Sequence, residues 1–132
     1  MKAEKLLSKY SLTAKVVKDW FLNKLIESMN TDDVPEDFKQ AILDEGISDD
    51  RLGIIIDAQP RSLFDVFDVN DVIIQIIPIK EDKVKYLSRV NQFETPYDFR
   101  RPYFTRKEAE LFAIEAAFEI LENKLNSNEV TE

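Results

Sequence analysis

The sequence has no cysteine and no histidine, and only two glycines, Gly46 and Gly53. Without thiols there can be no disulfide staple and no thiolate metal ligand. Without imidazole there can be no Ser-His-Asp or Cys-His nucleophilic site and no histidine-bound zinc. Any catalysis would have to run on carboxylates, Lys, Arg, Tyr, Ser or Thr. Two isolated glycines exclude a glycine-rich phosphate loop. Long apolar runs are missing too. The longest, residues 72–79, is interrupted by Gln75 and Pro78 and is far too short to cross a bilayer. Residues 1–10 set Lys2, Lys5 and Lys9 around a single apolar pair, Leu6-Leu7, which is not the pattern of a signal peptide. The expectation is a protein without membrane association or cofactor, cytoplasmic in the cell that makes it.

What is present suffices for a core. Of 132 residues, 44% are hydrophobic and 33% charged, which fits one globular domain. We place that domain at residues 1–125, with a polar tail at 126–132. The net charge of −8 disfavours general nucleic-acid binding. It is unevenly spread. Residues 1–24 carry six lysines against two acids, and residues 27–71 carry thirteen acids against Lys39, Arg51 and Arg61. Residues 80–107 carry eight bases against four acids, and residues 108–132 set Lys124 against seven acids. Such segregation can orient association with a partner.

Periodicity and capping then place the elements. Ala14, Val17, Phe21 and Leu25 form one helical stripe over residues 13–29, with Leu22, Ile26 and Met29 beside it. A second helix opens at Pro35, favoured by Glu36 and Asp37 in its first turn, with Phe38, Ala41 and Ile42 as its inner side and Gly46 as its stop. Ser48 is an N-cap for a third, in which Leu52, Ile55 and Ile56 face inward; the β-branched run Ile54-Ile55-Ile56 leaves a strand over part of 49–58 as the rival. Pro60 ends that element, and Leu63, Phe64 and Phe67 suggest further helical turns. Residues 71–79 read as a strand with two largely apolar faces, and residues 84–90 as its antiparallel return across a charged turn. Pro96 and Pro102 mark a loop, with a short third strand conceivable at 102–104. Thr105-Arg106-Lys107-Glu108 has the spacing of a capping box. Behind it Ala109, Phe112, Ala113, Ala116, Ala117 and Ile120 share a helix face, broadened by Leu111, Ile114, Phe118, Leu121 and Leu125. The fold class is α+β: N-terminal helices, a sheet based on an antiparallel β-hairpin, and a long C-terminal helix packed on it.

Three constellations bear on chemistry. Asp65, Asp68 and Asp71, with Asn70, resemble part of a cation loop. Counted from Asp68, however, Val72 stands where the fifth-position ligand is needed and Ile73 where the sixth-position glycine is needed, so they read as turn residues. Asp71 with Glu81 and Lys83 imitates the acid and acid-x-Lys spacing of metal-dependent nucleases of the PD-(D/E)xK type, in which acids hold Mg²⁺ and the lysine helps activate water. Here Glu81 and Lys83 fall in the hairpin turn. The third is the basic-aromatic segment 97–107. Arg100, Arg101, Tyr103 and Arg106 are its candidate partner-contact residues, because arginine and tyrosine are favoured interface anchors.

Residues 60–68, Pro-Arg-Ser-Leu-Phe-Asp-Val-Phe-Asp, and residues 105–110 running on to 117–122, resemble small proteins of tailed (crAss-like) phages and related mobile elements of gut bacteria. The resemblance covers about a quarter of the chain. It implies an accessory or virion-associated structural protein and assigns no catalytic residue.

Taken together, these readings favour a non-enzymatic interaction or assembly subunit. Its expected partners are proteins, among them a virion assembly or further copies of the chain; nucleic acid and membrane are not expected. Two alternatives stay open: a metal-dependent nuclease using Asp71, Glu81 and Lys83, and an acidic DNA mimic that inhibits a host protein through residues 32–71.

Overall fold

A computed structural model describes residues 3–29, 33–80, 84–90 and 105–130, with 128–130 in backbone only. Its elements are α1 (Ala3–Lys9), α2 (Ser11–Ser28), α3 (Glu36–Glu45), α4 (Asp49–Ala58), a 3-10 turn (Pro60–Leu63), α5 (Phe64–Asp68), β1 (Ile74–Lys80), β2 (Val84–Val90) and α6 (Arg106–Val130). The α+β class is as expected: β1 and β2 pair antiparallel, with Ile74 opposite Val90 and Lys80 opposite Val84, and α6 packs on them.

The caps form where the side chains predict them. The Ser48 hydroxyl accepts the Arg51 N–H, which settles α4 as a helix despite its isoleucine run. The Thr105 hydroxyl accepts the Glu108 N–H at 3.1 Å and opens α6. Gly46 takes a positive φ of 71° with ψ of −167°, so it stops α3 outside the left-handed helical well. From its cap α6 runs past Leu125 to Val130, through the first part of the segment read as a polar tail.

Helix α6 is the centre of the molecule. Ala109, Ala113, Ile114, Ala116, Ala117, Phe118 and Leu121 are all buried. Apolar groups therefore surround its middle, and such a helix must be covered on several sides. The sheet covers one side; α2, the 3-10 turn and α5 pack elsewhere around it. Phe118 meets Phe67 of α5 edge-on, ring centres 5.4 Å apart, and Tyr10 lies 6.4 Å away. Helix α1, which periodicity did not single out, contributes Ala3, Leu6 and Leu7, and Tyr10 follows it into the same core. It packs on α4, where a Cβ at Gly53 would sit 3.6 Å from that of Ala3.

One buried carboxylate joins the two ends of the chain. Glu122 of α6 accepts the Thr13 N–H at 2.8 Å and the Leu12 N–H at 3.4 Å. It thereby satisfies two orphan donors at the start of α2, whose own N-cap, Tyr10, provides no side-chain cap. The Thr13 hydroxyl donates to the Phe118 carbonyl.

Three details differ from the sequence reading. In α3 two of the three expected inner residues face outward, Phe38 at 55% exposed and Ala41 exposed; Ile42 is half-buried, and Lys39 is the buried residue. The lysine stem lies inward and its amine reaches Glu36. In α2 only the first half is buried; Leu25 is exposed. The first strand begins at Ile74, not at residue 71, because Asp71 has φ of 63° and the Val72 N–H bonds back to the Phe67 carbonyl. One face of the strand packs on the core through Ile74 and Ile76, while Ile73 and Gln75 are exposed. The sheet has two strands among the described residues; the third strand suggested at 102–104 lies outside them.

Phe118→Ala should cost about 3–5 kcal/mol of stability, whereas Phe38→Ser should stay within about 0.5 kcal/mol. Urea unfolding of the two variants measures both, and comparable losses would contradict this assignment of inside and outside.

Candidate interaction site

Arg61 follows Pro60 in the 3-10 turn, and Arg106 is the first residue of α6. The fold brings these distant positions to one carboxylate. Oε1 of Glu110 accepts Arg61 Nε at 3.3 Å, Arg61 Nη2 at 2.9 Å and Arg106 Nε at 3.2 Å. The Glu110 side chain is 7% exposed; those of Arg61 and Arg106 are 62% and 48% exposed. A buried carboxylate needs such partners, because desolvation is costly unless its charge is paired and hydrogen-bonded.

The arginines border an open cleft of about 820 Å³. Pro60 and Phe64 give it an apolar wall, Asp65 stands in its lining, and Lys107 joins the two arginines. Three cations thus meet two carboxylates, one of them buried. This is a local positive surplus on a chain of net charge −8. Arg106 uses Nε alone on Glu110, and Arg61 keeps its Nη1 clear of it. Guanidinium carries five N–H donors in a fixed fork, and among the described residues several of them have no acceptor. The Ser62 hydroxyl donates to the Gln59 carbonyl at 2.7 Å.

Of the residues singled out in the sequence, Arg106 stands in this cleft. Arg100, Arg101 and Tyr103 lie outside the described residues. Sequence reading did not select Arg61 or Glu110 for the site. Arg61 is one of only three bases in an acidic block, but nothing in the chain announces its pairing with a residue 49 positions later.

Of the nuclease constellation, Asp71 alone belongs to the described residues. Asp71 is exposed in a turn, while Glu81 and Lys83 lie outside the described set. Asp65 and Asp68 are exposed as well, and Asn70 donates to the Val66 carbonyl. No group of three carboxylates that could hold a metal ion occurs among the described residues. No described helix is long and apolar enough to cross a membrane. Compared with protein-family models, curated proteins and solved structures, the chain matches none.

With DNA and Mg²⁺ or Mn²⁺, we expect no cleavage and an unshifted melting temperature. Cleavage abolished by Asp71→Asn would establish the nuclease reading instead.

Proposed function

We propose that the protein is a non-enzymatic interaction or assembly subunit that receives an acidic segment of a partner protein at the Arg61–Arg106 cleft. The carrying observation is that two exposed guanidinium groups are tied to one buried carboxylate oxygen. An exposed arginine normally gives up rotamer freedom when it binds; here Glu110 already restrains both side chains near their Nε ends. The cleft offers cations beside an apolar wall, a combination suited to recognition. Segregated charge favours the same use. Acids outnumber bases over the chain as a whole, so an acidic partner would be steered toward its basic places, of which the cleft is one. A role in a virion assembly fits this reading and rests on the resemblance of residues 60–68 and of 105–110 running on to 117–122, which include both arginines.

A second reading is favoured by a separate observation. Every described acid from Asp33 to Asp71 is exposed, and Phe38 stands outward among them. That surface suits an acidic mimic of DNA held by a basic partner. DNA would compete for such a partner and would leave an acidic segment's binding at the cleft unchanged.

A fluorescent hexaglutamate peptide tests the first reading. It should bind saturably at low salt despite the chain's overall negative charge. Binding should weaken on the order of tenfold in Arg61→Glu and in Arg106→Glu. Binding that ignores both reversals would contradict the proposal.

A further inference from the structure

We infer that the cleft is built for a phosphate monoester, whose dianionic head meets Arg61, Arg106 and Lys107 while its organic part lies on Pro60 and Phe64. The inference rests on the cleft being a recognition site and specifies what it recognises.

Charge comes first. Glu110 is a single carboxylate shared by two guanidinium groups, so it neutralises only half of their charge. Lys107 adds a third cation to the lining, and Asp65 removes one unit. The positive charge left over calls for an anion, and two guanidiniums drawn to one oxygen are like charges held side by side.

Geometry comes second. Glu110 engages the Nε side of both arginines. Among the described residues, the N–H groups of Arg106 without an acceptor are its two Nη positions, and those of Arg61 include Nη1. Planar forks presented in this way match the oxygens of a phosphoryl group, and three cations can address three oxygens. One carboxylate of two oxygens would leave part of this donor set unused.

The wall comes third. Pro60 is buried and Phe64 half-buried, and both line the cleft beside the arginines. Inorganic phosphate has nothing to place there, whereas an aromatic or aliphatic ester does. Asp65 repels additional negative charge, which favours a single phosphoryl group over a polyphosphate.

The same headgroup could arrive on a small phosphorylated metabolite or on a phosphorylated protein side chain. Titration calorimetry of the full chain separates these with four probes: inorganic phosphate, phenyl phosphate, a phosphotyrosine peptide and the same peptide with Glu in that place. Phenyl phosphate should saturate one site and bind more tightly than inorganic phosphate. Arg61→Gln and Arg106→Gln should each weaken it on the order of tenfold or more. Should Arg61→Gln fail to fold, Lys107→Gln, at an exposed first-turn position, replaces it. A phosphopeptide much tighter than phenyl phosphate supports a protein source, and equal affinities support a small ester. A Glu peptide equal to the phosphopeptide overturns the phosphate assignment while leaving the acidic-partner reading intact. Binding of none of the four overturns the phosphate assignment, and hexaglutamate binding then decides the acidic-partner reading separately.

Discussion

Helix α6 has apolar residues too far around its circumference to rest on a single neighbour, and the fold is the set of elements that cover it. Its alanines let the hairpin approach closely on one side, and Phe118 fills the space toward α5 and Tyr10 on another. Helix α2 is thereby packed on the last helix, while α1 reaches the same core through its contacts with α2 and α4.

Where α6 has polar groups in its buried zone, each does structural work at a distance. Glu122 supplies the cap that the start of α2 lacks. Glu110 draws the 3-10 turn to the first turn of α6 through Arg61. Both carboxylates are buried and both take several donors, which is the condition under which buried charge is tolerable. They differ in what they meet. Glu122 meets backbone amides and is used up in the fold, whereas Glu110 meets two side chains that continue outward to solvent. Of these two carboxylates, Glu110 is the one whose bonds organise groups a partner can reach.

Much of the architecture was legible because it is written locally. Ser48 and Thr105 cap the helices they precede, and the alternation over residues 84–90 is the observed strand β2. Helix α1 could have been found from Ala3, Leu6, Leu7 and Tyr10, whose spacing is a helical stripe; the intervening lysines and the shortness of the segment obscured it. Phe38 and Ala41 of α3 face outward although they outrank a lysine in hydrophobicity, because Lys39 has a long stem to lay inward beside the half-buried Ile42. The candidate site was half legible. Arg106 stood out by local charge, whereas its association with Arg61 depends on tertiary packing and has no signature in spacing.

The central claim is that everything is organised around α6 while α3 carries an unburied apolar side. Amide hydrogen exchange across the chain tests it directly. The account predicts that the amides of residues 113–121 exchange last, together with the first half of α2, and that those of α3 exchange far earlier. Equal protection of α3 and of the middle of α6 would contradict it.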